Sequence, residues 1–197
     1  MAGFYRILAF LPIDETWAPL QTSPMRTLTY PLIFAGALTL SRALLAHDNP
    51  LSDEARINFN TIKDYVIRAA EKMPADGYAF KPTPEIRSFG QLIGHIADDQ
   101  YTFCGGVKNE KRPTDFEKNP PPKEQMVAAL KAAFDYSESA YSLLLDAWAN
   151  EQIRFLGRER PKLNVLTFNT EHAWEHYGNI VVYMRLKGLV PPSSEKK

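Results

Sequence analysis

A polar, proline-rich stretch from Lys108 to Pro122, Lys-Asn-Glu-Lys-Arg-Pro-Thr-Asp-Phe-Glu-Lys-Asn-Pro-Pro-Pro, is the strongest constraint on how this chain folds. Proline lacks an amide hydrogen and its ring clashes with the preceding turn, so this stretch is not helix. Helical patterns lie on both sides of it, and an antiparallel helix pair needs only a few residues to turn. Extended, these residues reach about 45–50 Å, more than the ~30 Å of a twenty-residue helix. The link is therefore long enough to run the length of a bundle, and the helices on either side of it are free to be parallel.

Around that link the apolar residues recur in alternating steps of three and four, the period of one buried helical face. The first such run carries Phe59, Ile62, Val66, Ala69 and Met73 and ends at Pro74. Ser52-Asp-Glu-Ala precedes it, with a hydroxyl to cap free amides and acids to meet the positive end of the helix dipole. The second run starts near Ser88 and carries Phe89, Leu92, Ile93, Ile96, Phe103 and Val107. After the link, a third run from about Lys123 carries Met126, Leu130, Ala133, Ser137, Ala140, Leu144 and Ala147, widened by Phe134, Tyr141 and Trp148. Residues 151–162 read as a connection with room for a short extended piece. A fourth run, from about Asn164 to Lys187, stops at Gly188 with Pro191 and Pro192 just beyond. No β pattern of useful length appears, so the expected class is all-α, a four-helix bundle preceded by an N-terminal extension.

The extension covers residues 1–50, the bundle domain 51–193, and a short tail 194–197. Within the extension, segment 25–46 has the layout of a secretory signal peptide: Arg26, a short apolar run from Leu32 to Leu40, and a small residue at Ala43 or Ala46 for cleavage. Arg42 interrupts that run too early for a membrane span. Two readings stand. Either translation begins at Met25 and the product is exported to the periplasm or beyond, or the whole chain is made, the apolar run packs as an extra helix and the protein is cytoplasmic.

Lys and Arg balance Asp and Glu at 23 each, which removes the basic field that nucleic-acid binding needs. The single cysteine, Cys104, forms no internal disulfide and supplies no thiolate cluster. A metal held by this chain is held by nitrogen and oxygen. His172 and His176 stand four residues apart on the fourth helix, where i and i+4 share a face and can close on one ion. Of the other two histidines, His95 flanks the apolar stripe of the second helix, whereas His47 lies in a linker; His95 is the expected third ligand. The ordinary alternative is a pair of histidines at a helix seam, bonded to acids such as Glu171 and Glu175. Ala173 follows His172, so the His-Glu-x-x-His pattern of metalloproteases is absent. Asp98 and Asp99 sit one turn from His95, and Asp99, at i+4, is the candidate to orient an imidazole or act as base.

Three separated motifs, Arg87-Ser-Phe-Gly-Gln-Leu-Ile-Gly-His95-Ile-Ala-Asp98, Glu171-His172-Ala-Trp-Glu-His176-Tyr-Gly178-Asn179 and Tyr183-Met-Arg-Leu-Lys-Gly188-Leu-Val-Pro-Pro192, together resemble the DinB-like superfamily of metalloenzymes over about residues 52–193. The resemblance implies a four-helix bundle with a long link between helices two and three. It implies a divalent metal, zinc or nickel, on three histidines that correspond by motif position to His95, His172 and His176. It also implies a small-molecule substrate, with thiol-dependent transfer as the activity, and it makes a homodimer reasonable. At Asn179 many members carry glutamine, so details around the ligands are not carried over. Three neutral imidazoles leave an ion at least one open position, the mark of a catalytic site. Alternatives are a metal-dependent hydrolase, which suits an exported protein better because small thiols are scarce outside the cell, and a non-catalytic metal-binding or stress-response module whose own carboxylate fills the open position.

Overall fold

The computed structural model describes residues 49–196. Four helices, α1 (Pro50–Lys72), α2 (Phe89–Lys108), α3 (Lys123–Leu143) and α4 (Lys162–Leu186), make up most of it, with 3-10 turns at Ala75–Ala79, Asp146–Trp148 and Pro192–Ser194. A two-stranded antiparallel hairpin, β1 (Gln152–Phe155) and β2 (Arg158–Pro161), precedes α4. The signal-peptide-like segment 25–46 and His47 lie outside the described residues. Among the described residues no helix is long and apolar enough to cross a membrane.

The apolar stripes meet in one core. Phe59, Ile62 and Val66 of α1, Phe89, Ile93 and Ile96 of α2, Met126, Leu130 and Phe134 of α3, and Leu166, Ile180 and Met184 of α4 are all buried in it. Cross-helix bonds fix the directions. Lys63 of α1 pairs with Asp135 and Glu138 of α3, and Lys123 at the start of α3 bonds the Glu71 carbonyl at the end of α1, so these helices are antiparallel. Ser137 of α3 donates to the Gln100 carbonyl and Lys108 reaches Ser139, which makes α2 and α3 parallel. The link 109–122 returns along α2: the Glu110 amide bonds the Gly105 carbonyl at one end, and the Phe116 and Glu117 amides donate to Asp98 midway. Gly94 permits this contact, because a Cβ there would collide with the Phe116 carbonyl.

Local sequence accounts for the starts and stops. Ser88 and Gln91 form a reciprocal capping box at the head of α2, with the Ser88 hydroxyl accepting from the Gln91 amide at 3.2 Å and the Gln91 side chain from the Ser88 amide at 2.9 Å. Asn109 ends α2 in the left-handed region at φ 55°. The expected cap at Ser52 takes a different form: α1 begins at Pro50, and the Leu51 and Ser52 amides donate to the Asp146 carboxylate, as does the Ser52 hydroxyl. That contact also explains why α3 is shorter than its stripe predicts. The chain turns extended at Leu144 to deliver Asp146 to α1, leaving Ala147 and Trp148 in a 3-10 turn and Trp148 exposed. The hairpin turns at Leu156 and Gly157, both at positive φ, the geometry that matches strand twist.

A buried polar layer sets the register of α2 against α4. Gln100 and Asn169 exchange two amide hydrogen bonds, at 3.0 and 3.2 Å, and Asn169 also donates to the Tyr141 hydroxyl. Tyr141 in turn donates to the Leu166 carbonyl. Sliding either helix by one turn would leave these buried amides unpaired, at about 1–3 kcal/mol each. The residue before Gln100 is Asp99, and three residues after Asn169 comes His172.

Candidate metal centre

Asn164, Phe168, His172 and His176 follow one another at four-residue steps along α4, and the last two face His95 and Asp99, one turn apart on α2. The three imidazoles converge through their Nε2 atoms. His172 Nε2 lies 3.0 Å from His176 Nε2 and 3.3 Å from His95 Nε2. Asp99 Oδ2 lies 3.0 Å from His172 Nε2 and 3.1 Å from His95 Nε2, and the four atoms are all within 4.8 Å of one another. The structure thus brings together every expected site residue: His95, His172 and His176 with Asp99 beside them.

Proton bookkeeping shows what such a cluster needs. His95 Nδ1 is 2.8 Å from Glu117 Oε2. Burial works to raise the Glu117 carboxyl's pKa, but hydrogen bonds from Arg87 and His95 outweigh it and hold the group below its ordinary value, so the carboxylate accepts and Nδ1 carries the proton. With its Nδ1 turned to Glu117, His95 directs Nε2 at Asp99 and at His172. His176 is pushed down to about 4, first by burial and then by the neighbouring His172 and His95, and its Nδ1 is buried without a partner. It stays neutral at pH 7. His172 is raised above its ordinary value, chiefly by its hydrogen bond to Asp99, against the opposing effect of burial. Three imidazole nitrogens and a carboxylate oxygen thus meet at one point in space. Nitrogen ligands about 2.0–2.1 Å from a divalent ion stand about 2.8–3.4 Å apart at octahedral to tetrahedral angles, and the distances of 3.0 and 3.3 Å from His172 Nε2 to His176 and His95 fall in that range. The donor set fits a divalent cation.

Glu117 is the residue that sequence reasoning misses. It sits in the aperiodic link, where nothing marks it, and reaches His95 because Asp98 grips the adjacent backbone and Arg87 Nε holds its other oxygen at 2.7 Å. Asp98, one of the two acids beside His95, is accordingly an anchor for the link and lies outside the ligand cluster. Glu175 approaches His172 Nδ1 only to 3.6 Å and is largely exposed, so the acids of α4 do not account for the histidine pair. Phe103 and Phe168 pack beside the His172 ring, with centroids 5.9 and 6.2 Å away, and form an apolar flank continuous with Phe155 of the hairpin. The cluster is mostly covered but not sealed: the His95, Asp99 and His172 side chains keep 16, 18 and 23% of their surface exposed. Cys104 is buried against Asn169, and burial pushes its thiol up to about 12.

The same architecture occurs in solved structures. A DinB-like protein of Bacillus subtilis, YjoA, superposes with a TM-score of 0.59 at 21% identity, covering 73% of this chain and 99% of that one. A DinB-like protein of Bacillus cereus superposes with a TM-score of 0.58 at 18% identity, over 66 and 89% of the two chains. A mycothiol-dependent maleylpyruvate isomerase shares the fold at a TM-score of 0.55 and 17% identity, over 68% of this chain and 62% of the isomerase. In sequence, the uncharacterized protein YjoA of Bacillus subtilis is 26% identical over 144 residues, which is 70% of this chain and 91% of YjoA. The sequence model of the DinB superfamily matches residues 59–180, a span that opens in α1 and takes in the link, the hairpin and all three histidines. With that match added to the bundle, the parallel helices joined by their long link and the converging imidazoles, the chain belongs to the DinB superfamily.

Proposed function

We propose that this protein is a divalent-metal enzyme acting on a small molecule, with His95, His172 and His176 holding zinc or nickel and Asp99 serving as the base. The observation that carries this reading is the convergence of three Nε2 atoms beside a carboxylate, with His95, Asp99 and His172 partly exposed to solvent. An ion bound there lowers the pKa of a coordinated thiol or water toward neutrality and so supplies a nucleophile. The protein's own groups supply the rest. Glu117 fixes the His95 ring and its tautomer, and the Gln100–Asn169 pair holds α2 and α4 in register. Asp99 is placed to take the proton that the entering nucleophile gives up. The mycothiol-dependent isomerase with the same fold favours a thiol as that nucleophile and thiol-dependent transfer as the reaction.

A second reading rests on one distance. Asp99 Oδ2 stands as close to two of the imidazoles as they stand to each other, so it can complete a four-ligand set and leave no open position. The site is then structural and the chain a metal-binding module. Elemental analysis of the full chain separates the two. The enzymatic reading expects about one zinc or nickel per chain, lost in His95→Ala, His172→Ala and His176→Ala with the helical circular dichroism retained. It expects Asp99→Asn to keep the metal and lose thiol-transfer or hydrolase turnover. Loss of metal in Asp99→Asn would favour the module; a wild-type chain that takes up neither metal refutes both.

A further inference from the structure

Arg160, the last residue but one of β2, lies against Phe168, an aromatic neighbour of His172, and its guanidinium is underused. Its Nε is buried with no hydrogen-bond partner, and no carboxylate among the described residues lies within ion-pair distance of it. The one bond recorded for the group is a long one, 3.3 Å from Nη1 to the Asn164 side chain. Its carbon sits 5.5 Å from the centre of the Phe168 ring, and Phe168 is the aromatic neighbour of His172. A buried guanidinium N–H without a protein partner is costly, and a bound ligand is one way to satisfy it.

Resting on the metal-site reading above, we propose that Arg160 binds the anionic end of the substrate, a carboxylate or similar planar anion, while the other end of the same molecule reaches the metal. Asn164, Phe168 and His172 lie on one ridge of α4, so the guanidinium and the metal ligands are one to two turns apart, about 6–12 Å at the rise of an α-helix. The apolar ring of Phe168 lines the interval. The substrate class is therefore a bifunctional one: a thiol or other metal-seeking group, an apolar spacer along Phe168, and a carboxylate received by the fork of Arg160. Pairing in the hairpin with Ile153 holds the Arg160 backbone, so the anion site is formed before the substrate arrives.

The test uses the full chain loaded with cobalt(II), whose thiolate charge-transfer absorption reports ligation without any turnover. Two probes are titrated, 6-mercaptohexanoate and 6-mercaptohexanol, alike in length and differing in the charged end. The wild type should bind the carboxylate about tenfold more tightly than the alcohol, the worth of a charge-assisted pair. Arg160→Gln should reduce that ratio to near one through weaker carboxylate binding, with alcohol binding unchanged, and Arg160→Lys should restore part of it. Equal binding of the two probes by wild type overturns the role of Arg160 and leaves the metal reading standing. Absence of the thiolate band with both probes, or failure to load cobalt, overturns the open metal site and the Arg160 inference with it.

Discussion

Replacing Glu117 with alanine removes the carboxylate that holds His95 Nδ1 at 2.8 Å and leaves the rest of the link in place, because the Phe116 and Glu117 amides still donate to Asp98. The imidazole then loses the partner that fixes its orientation and tautomer and raises its basicity toward a cation. Loss of such a partner typically weakens metal binding by about 10–100-fold. Here Glu117 keeps 34% of its side-chain surface exposed, so water replaces part of what is lost and the low end applies. The expected effect is about tenfold in dissociation constant, or about 1.4 kcal/mol. Glu117→Gln preserves an oxygen for the Nδ1 proton without the charge and should fall between, at about threefold. Competition for zinc against a chromophoric chelator measures both, with circular dichroism as the control for folding. If Glu117→Ala binds zinc as tightly as wild type, the Arg87–Glu117–His95 chain is a surface ion pair with no hold on the ligand, and the role given to the link is wrong.

Gly94→Ala places a methyl group against the Phe116 carbonyl, so the link must shift; the expected cost is about 1–3 kcal/mol, seen as a lowered midpoint in urea, together with weaker metal binding as Glu117 is carried away from His95. Cys104, buried and with its thiol pushed up to about 12, remains protonated across the neutral range, so alkylation by iodoacetamide should stay slow and nearly flat from pH 7 to about pH 9 in the folded protein and become fast on denaturation. Rapid labelling of the native chain at pH 7 would contradict that packing.

How far the sequence could be read depended on whether a residue's role is periodic. Apolar stripes are, and the core of Phe59, Ile93 and Leu130 lies where their spacing puts it. The histidines were legible for the same reason: i and i+4 on one helix, and a third on a stripe's flank, are geometric statements that hold whatever the neighbouring helices do. The end of α3 was not legible. Its apolar pattern continues through Leu144 and Ala147, yet the helix stops at Leu143 because Asp146 is drawn to the head of α1, and a contact between residues 94 positions apart leaves no local trace. Glu117 was hidden in the same way, since an acid in a polar link has the composition of any solvated loop until the link is known to lie on α2.

That difference bears on where chemistry resides in this bundle. The clustered histidines stand on helices whose register is held by Gln100 and Asn169, while other groups near them arrive from irregular segments: Glu117 from the link onto His95, and Arg160 from the hairpin onto Phe168. Helices place Nε2 atoms reproducibly, but an α-helix offers each imidazole only neighbours at fixed steps, and His95 needs a partner for its far nitrogen from the side opposite the cluster. A loop laid along the helix can provide it, provided that something pins the loop. Asp98 does so with two backbone hydrogen bonds, and Gly94 admits the backbone to contact distance. The long polar link, which first appears as a device for joining parallel helices, thus also supplies the hydrogen-bond partner of His95 Nδ1. Substitutions that leave the three histidines untouched but loosen residues 115–118 should therefore weaken the metal site, whereas changes of similar severity near residues 111–113, beyond the Asp98 contact, should not.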